Sequence, residues 1–588
     1  MKCVATITGI RPDFIRMSAV FKKLDENFNH VMIHTGQHYD SALSEVFFQE
    51  LGIRNPDYTL QCGKETKNHY EQLAYLATHL PPLMAKIKPD LILFLGDSNS
   101  VAVSFVLKKE GYMIGHIEAG MRSNDTRMFE EINRTICDHC SDILFVYHPD
   151  YKANLERENI RKNVYVVGNT IVEPFQKMQY LFQTPKREDC IWMDIHRPEN
   201  FTYPNRLRAI LRLGNDLAVH YGLPVRLLYF KRLMDALGGL ELGAIQIHPL
   251  MSYTDYMESI YHAKVLISDS GTGQEEPALL KTPVIVPRDF TERPQSYEMG
   301  CSIRFSCDTP NIHDIVDWKP RMDTSWLGDG TTSTQIIDIL QGWFYRNTLP
   351  YPHMYRDSFL NQEFARSIQQ EILTIPRDAW DRYENPFEQK YTLRDKYAFP
   401  PLLASLFSQW ESQEFVKQLS NLTGFSLKTD PTRNFWGVHT YNSGDKLDIH
   451  VDAGLHPITM QKKQITIGLY LSVNYEDSNG CALEIWDGTS AGVLSHKVAS
   501  ITPQFNRFIM FTCNDISWHG NPEPLTGDTA KRIFVTMSYL SDSTSDTNKL
   551  VKARFVKRPQ DPEDIEKDIL REKRCHPDKF KEIYKVIT

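Results

Sequence analysis

Short apolar runs recur through the first half of the chain, and most stop at Gly, Asp, His or Asn. The first series is C-V-A-T-I-T-G, H-V-M-I-H-T-G, L-I-L-F-L-G-D, M-I-G-H-I-E-A-G, I-L-F-V-Y-H and V-Y-V-V-G-N. Helical patterns lie between the runs. Met17, Val20, Phe21 and Leu24, for example, have the spacing of one buried helix face. Near-continuous apolar strands separated by helices predict a parallel sheet covered on both sides. A second series begins near residue 189 with C-I-W-M-D-I-H and runs through V-R-L-L-Y-F, A-I-Q-I-H, K-V-L-I-S-D-S-G and T-P-V-I-V-P-R-D. The pattern predicts two doubly wound, Rossmann-like α/β domains, about 1–170 and 171–345.

The pattern changes after about residue 340. Residues 356–372 read as a short strand and then a helix, and a helical segment follows at about 402–422. From F-W-G-V-H-T-Y onward, short strands alternate with turns such as N-S-G-D, D-S-N-G and W-D-G-T. This predicts an all-β domain with supporting helices over 350–545. The stretch D-P-E-D-I-E-K-D-I-L-R-E-K-R lies in a charged tail, 546–588, and reads as a solvated helix with opposite charges at helical spacing.

Bulk composition narrows the functional classes. The chain has 588 residues, 41% of them hydrophobic and 24% charged, which is ordinary for a soluble globular protein. A net charge of −8 argues against nucleic acid as the main partner. Ten cysteines are scattered without a disulfide framework, which fits a reducing compartment. Cys137 and Cys140 form one C-x-x-C, but it falls in a predicted helix with no second pair, so it reads as helix core rather than zinc or redox chemistry. The opening M-K-C-V-A-T-I-T-G enters a strand at once, and no apolar run is long enough to span a bilayer. A cytoplasmic protein without membrane partners is expected.

In doubly wound sheets ligands sit beyond the carboxyl ends of the strands. Arg11, Asp97, Glu118, His196, Ser270 and Arg288 all fall there, while Glu130 and Glu131 precede I-N-R at a helix start. Acids at a helix start also favour its dipole, so no single group settles a role. The stretch S-D-S-G-T-G-Q-E-E-P, 268–277, ends a strand and opens a helix, which predicts an anion site with Ser270 and Gly271 against a diphosphate. Glu275 or Glu276 can accept from ribose hydroxyls, and Arg11 and Arg293 can neutralise phosphate.

Eight motifs come in order: G-I-R-P-D at 9–13, H-T-G-Q-H at 34–38, G-D-S-N-S at 96–100, H-I-E-A-G-M-R at 116–122, E-E-I-N-R at 130–134, H-R-P-E-N at 196–200, S-D-S-G-T-G-Q-E-E at 268–276 and R-D-F-T-E-R-P at 288–294. Over about 1–330 they resemble the UDP-N-acetylglucosamine 2-epimerase family. The resemblance implies the two-Rossmann GT-B architecture and a homodimer. It also implies epimerisation of a UDP-N-acetylhexosamine at carbon 2 by elimination and re-addition of UDP, with no cofactor. By position, Asp97, Glu118, Glu130 and His196 would be the acid–base group. Arg11, Arg134, Ser270, Gly271, Glu276 and Arg293 would hold the UDP-sugar. G-I-R-P-D, F-E-E and S-G-T-G stand where the family more commonly has G-T-R-P-E, P-E-E and S-G-G, which leaves the particular sugar open.

In the second half, L-D-I-H-V-D-A-G at 447–454 puts His450 and Asp452 on one strand face. I-S-W-H-G-N-P at 516–522 supplies His519 on a later strand. Two histidines and one carboxylate leave coordination positions open, as in the facial triad of non-haem iron oxygenases. In A-K-R-I-F-V-T-M-S-Y, Arg532, Phe534, Thr536 and Ser538 share a face. Arg532 can grip the far carboxylate of 2-oxoglutarate with help from Tyr441 or Ser538, or it can be an ordinary surface arginine.

The H-V-D…H…R arrangement over roughly 350–545 resembles the prolyl-4-hydroxylase-like 2-oxoglutarate/Fe(II) dioxygenases. That implies a double-stranded β-helix (jelly-roll) with Fe(II), 2-oxoglutarate, O2 and, in some members, ascorbate. The substrate is not readable from cofactor-binding motifs. The expectation is a bifunctional enzyme of polysaccharide biosynthesis, an isomerase joined to an oxidoreductase. Three alternatives stand beside it: an epimerase that hydrolyses its intermediate to free N-acetylmannosamine, a GT-B glycosyltransferase fused to the dioxygenase, or a chain in which one half is a silent binding module.

Overall fold

The computed structural model describes residues 2–37, 45–542 and 552–575. His38 of the H-T-G-Q-H motif, and residues 546–551 and 576–588 of the charged tail, lie outside the described residues. The chain forms two compact units, 1–337 and 338–588.

The first unit holds two parallel sheets. One contains β1 (Cys3–Thr8), β2 (Asn29–His34), β3 (Tyr58–Thr59), β4 (Leu91–Leu95), β5 (Ile114–Ile117), β6 (Ile143–Val146) and β7 (Val164–Val166), in the order 3-2-1-4-5-6-7. The other contains β8 (Cys190–Asp194), β9 (Val225–Leu228), β10 (Ile245–His248), β11 (Ala263–Ser268), β12 (Val284–Val286) and β13 (Ser302–Arg304), in the order 10-9-8-11-12-13. Strands β1, β4, β5, β6 and β12 are buried along their whole length, which explains their unbroken apolar runs. Strand order reverses between β1 and β4 and between β8 and β11, and a crevice opens at such a point.

The second unit is antiparallel. Its strands are β14 (His353–Arg356), β15 (Trp380–Glu384), β16 (Glu388–Leu393), β17 (Trp436–Tyr441), β18 (Lys446–Val451) and β19 (Lys462–Tyr470). They continue with β20 (Leu483–Gly488), β21 (Leu494–Ile501), β22 (Arg507–Thr512), β23 (Trp518–Asn521), β24 (Arg532–Ser541) and β25 (Arg554–Phe555). The sheet runs 14-22-19-24-17-16-18-23-20-21, with β15 on β16 and β25 on β18. It curls into the nearly closed barrel of a jelly-roll.

Alternation along β17 and β24 divides their side chains between two faces. Trp436, Val438, Ile533, Val535 and Met537 pack with Leu403, Leu406, Phe407 and Trp410 of the supporting helices. Tyr441, Arg532 and Phe534 take the opposite face, toward the site. The helical segment expected as one piece is two helices, Pro401–Glu411 and Gln413–Thr423, broken where Ser412 caps the second by accepting from the Phe415 N–H. The tail helix also differs from expectation. In Ile565–Cys575 the Lys567, Arg571 and Arg574 side chains are only 17%, 12% and 8% exposed, because they pair with carboxylates of the barrel.

Trp436 stacks on Phe407 at 4.7 Å and lies beneath the Arg433 guanidinium at 4.6 Å. Trp436→Ala should destabilise this unit by about 3–5 kcal/mol in urea unfolding, the usual cost of deleting a large buried aromatic.

Candidate functional sites

The carboxyl ends of the parallel strands carry nearly every group singled out in the first half. Arg11 opens the helix Arg11–Asn27 after β1. Asp97 lies two residues past β4, and Glu118 directly follows β5. Glu130 and Arg134 are one turn apart on the helix Phe129–Cys140. His196 is two residues past β8 and Ser270 two past β11, with Gly271 next to it. Glu276 starts the short helix Glu276–Leu279, and Arg293 precedes Pro294–Glu298. The predicted helix after S-D-S-G is a 3-10 turn, Thr272–Gln274, followed by a single α turn, so its backbone is tighter than the motif suggests.

Buried charges here occur in matched sets. Arg16 pairs with both Glu118 and Glu275. Arg293 pairs with the same two, 3.3 Å to Glu118 and 2.6 Å to Glu275, and also with Glu292. Glu292 in turn is 3.2 Å from Arg288. Arg16, Glu118, Glu275 and Arg293 are all nearly inaccessible, and they join the two lobes at their strand ends. Pairing of this kind is required, because an unmatched buried charge is costly. Glu118 holds its place with a left-handed backbone, φ 69°, which an ordinary side chain adopts only under constraint. Burial keeps its carboxyl above the usual range, against the pull of the Arg16 and Arg293 guanidiniums.

The remaining acid–base candidates join this network. Arg134, fully buried, pairs with Asp97. Arg197 donates to Glu130 at 3.1 Å and also feels the fields of Glu292, Asp269 and Asp97. His196 Nδ1 lies 3.3 Å from Asp194 and 3.6 Å from Asp269. Burial would lower the His196 pKa, but the two carboxylates outweigh it and the net shift is upward. Asp269 is itself fixed by the N–H groups of His196 and Arg197 and by Asn200. Gly271 carries no Cβ because one would sit 2.6 Å from Arg293 Nη1 and 2.8 Å from Glu292 Oε1. Ser270 Oγ lies 3.0 Å from Thr272 Oγ1, and Tyr253 donates to Glu276 at 2.6 Å.

Sequence reasoning missed Arg16, Asp13, Asp194 and Glu292. Arg16 did leave a signal, as a lone cation within F-I-R-M-S-A-V-F on a buried helix face. Asp13 accepts from the Gly9 and Ile10 N–H groups at 2.7 and 3.1 Å. Of the C-x-x-C pair, Cys137 is buried and Cys140 half-buried in the helix Phe129–Cys140, so only the first is helix core, and the nine cysteines described in full are free.

In the second unit, His450 and His519 face each other across the β18–β23 ladder. Their Nδ1–H groups donate to the carbonyls of Asp448 (2.9 Å) and Ser517 (2.8 Å), which leaves both Nε2 lone pairs facing Asp452. Nε2 of His450 is 3.5 Å and Nε2 of His519 3.9 Å from Asp452 carboxylate oxygens. Among the described residues these three form a group whose ligand atoms lie within 4.8 Å of one another, so they fit a single ion. Lys463, also missed in the sequence, donates to Asp452 at 2.7 Å, and Asp452 lies well below the usual carboxylate range: the ammonium is the strongest of the charges that outweigh its burial.

Arg532 is buried, with the Tyr441, Tyr470 and Phe534 rings 4.5, 5.0 and 5.4 Å from its guanidinium carbon. Nη2 meets the Tyr470 hydroxyl at 3.3 Å, while Nε and Nη1 have no hydrogen-bond partner. A buried guanidinium with two unmet donors suits a carboxylate and excludes the surface-arginine reading. Ser538 is not brought to it. It lies six residues along β24, about 20 Å at the usual strand rise, and shares a hydrogen bond with Thr466 at 3.0 Å. Gly468 completes the wall, since a Cβ there would fall 2.1 Å from the Phe534 ring.

Two parallel-sheet lobes joined by buried ion pairs at their strand ends define a doubly wound α/β unit, and the antiparallel barrel carries a His–Asp–His group that could hold one metal ion. Residues 22–341 match the family model described as UDP-N-acetylglucosamine 2-epimerase. The chain belongs to that family. Residues 436–540 match the 2OG-Fe(II) oxygenase superfamily, so an isomerase domain is followed by an oxidoreductase domain. A UDP-N-acetylglucosamine 2-epimerase of Methanococcus maripaludis is 31% identical over 58% of this chain and 98% of its own. A UDP-2,3-diacetamido-2,3-dideoxy-D-glucuronate 2-epimerase of Pseudomonas aeruginosa is 31% identical over 57% of this chain and 99% of its own. The crystal structure of Methanocaldococcus jannaschii UDP-GlcNAc 2-epimerase, in complex with UDP-GlcNAc and UDP, matches with a TM-score of 0.53. It is 31% identical and covers 58% of this chain and 99% of that one. Among the described residues no helix is long and apolar enough to cross a membrane.

Burial pushes the Glu276 carboxyl up to about 7. A raised folded pKa means that, between about pH 4.5 and 7, the unfolded chain releases the proton while the folded protein keeps it. Glu276 therefore contributes a fall in stability as pH rises through that window. Glu276→Gln should flatten this part of the pH–stability curve, as read by thermal unfolding.

Proposed function

We propose that the first unit interconverts the carbon-2 epimers of a UDP-N-acetylhexosamine, with its two lobes in the GT-B arrangement. The observation that carries this reading is the set of carboxylates and guanidiniums gathered at the strand ends. A base removes the carbon-2 proton as the bond from carbon 1 to the UDP oxygen breaks, giving a 2-acetamidoglucal and UDP. A second group returns a proton to the opposite face, and UDP adds back. Such a reaction needs at least two proton-handling groups and cations for the departing diphosphate. Asp97, Glu118, Glu130 and His196 supply the first. Arg11, Arg134, Ser270, Gly271, Glu276 and Arg293 bind the UDP-sugar. The Arg16–Glu118–Arg293 pairing keeps Glu118 from turning to solvent.

In the second unit His450, Asp452 and His519 would hold Fe(II), and Arg532 would take the far carboxylate of 2-oxoglutarate beside Tyr441 and the Tyr470 hydroxyl. When bound, the iron supplies O2 activation coupled to conversion of 2-oxoglutarate to succinate and CO2. The carbonyls of Asp448 and Ser517 orient the two imidazoles, and Lys463 orients the carboxylate. Ascorbate is the candidate reductant, and the hydroxylated substrate is a glycan or its sugar precursor. In this reading the protein is a cytoplasmic homodimer of polysaccharide biosynthesis, in keeping with its free cysteines.

With UDP-N-acetylglucosamine in deuterated water, the protein should place deuterium at carbon 2 and form the manno epimer. Absence of exchange across a panel of UDP-N-acetylhexosamines, including 2,3-diacetamido uronates, would remove the epimerase reading. Free N-acetylmannosamine as the product would mark a hydrolysing enzyme, and transfer to an acceptor a glycosyltransferase. A chelator should abolish succinate release and leave carbon-2 exchange untouched. Arg532→Ala should raise the KM for 2-oxoglutarate by about 10- to 100-fold, the worth of a lost charged hydrogen bond.

A further inference from the structure

The match to the oxygenase superfamily ends at residue 540, yet the chain returns to the metal strand. Strand β25 pairs antiparallel with β18, placing Phe555 opposite His450 and Arg554 opposite Val451. The Val556 N–H donates to the Ile449 carbonyl at 2.9 Å. The Phe555 ring lies 5.0 Å from the His450 ring and stacks on Phe387 at 5.0 Å.

The helix Ile565–Cys575 then reaches the same strand. Lys567 Nζ is 2.6 Å and Arg571 Nη2 3.9 Å from Asp448 Oδ2. Asp448 Oδ1 takes Lys446 at 3.1 Å, and Arg571 also pairs with Asp568. Arg574 lies over Phe555 at 4.6 Å and 3.6 Å from Glu388 Oε1. Asp448 thus does two things. Its carbonyl accepts the Nδ1–H of His450, and its side chain, 9% exposed, is gripped by the helix.

We propose that segment 552–575 is a positioning element for His450, acting through Lys567 and Arg571 on Asp448 and through Phe555 on the imidazole ring. The proposal rests on the reading of His450, Asp452 and His519 as metal ligands. A ligating imidazole is held in tautomer and angle by the acceptor of its other N–H, and that acceptor is a peptide carbonyl whose own residue is tethered. A merely solvated helix would leave Lys567 and Arg571 exposed, and they are not.

The test uses the full chain, with Co(II) as the probe, followed by its visible d–d absorption, at a temperature where circular dichroism shows each variant folded. Lys567→Glu should weaken Co(II) binding about tenfold or more and shift the d–d bands, while Lys567→Arg stays within about twofold of the parent. Phe555→Leu, which leaves Asp448 untouched, should shift the bands as well. Should Lys567→Glu fail to fold, Arg571→Gln replaces it with the same expected direction. Parental affinity and spectrum in Lys567→Glu (or its replacement) and Phe555→Leu would overturn the proposal alone. A parent that binds no Co(II), or a His450→Ala variant that binds it unchanged, would overturn the metal-site reading and the proposal with it.

Discussion

Arg16 and Arg293 each give one side of a guanidinium to Glu118, from the sheet of β1–β7, and another to Glu275, from the sheet of β8–β13. Four charges with almost no access to water close on one another across the cleft. Removing one would leave its partners buried and unmatched, a loss on the order of 3–5 kcal/mol. Glu118 stands in the middle of this arrangement on a strained backbone, so the same pairing that closes the lobes holds the acid–base candidate in register.

The barrel solves a related problem with different means. Its candidate ligands are two imidazoles and one carboxylate, which together could hold a single ion. Its buried cation, Arg532, is walled by aromatic rings that leave two donors unspent. Aromatic walls keep such a guanidinium dry without neutralising it, so its two unmet donors are left for an anion. Lys463 plays the complementary part at Asp452, fixing its Oδ2 while Oδ1 faces His450 Nε2.

Much of this was legible because strands end where ligands bind. The apolar runs marked β1, β4, β5, β8 and β11, and the polar residue after each run marked the cleft. His450 and Asp452 were legible for a similar reason, since a period of two puts them on one face. Other parts depend on contacts far apart in sequence. Arg16 looks like a misplaced charge on an apolar helix until Glu275, 259 residues away, meets it. Ser538 shares a face with Arg532 but lies too far along the strand, because facing the same way says nothing about reach. The charged tail looked solvated because helical spacing of opposite charges is equally compatible with a docked face, and only the carboxylates of β16 and β18 decide between them.

Gly468 and Phe534 have a consequence for how this barrel can diverge. The notch left by the missing side chain is filled by the ring of the neighbouring strand, within contact of Tyr470. A side chain at 468 can enter only if the residue at 534 is smaller. Related barrels should therefore vary at these two sites as a coupled pair, a bulkier residue at one accompanied by a smaller one at the other, and the width of the pocket beside Arg532 should follow whichever combination a lineage has adopted.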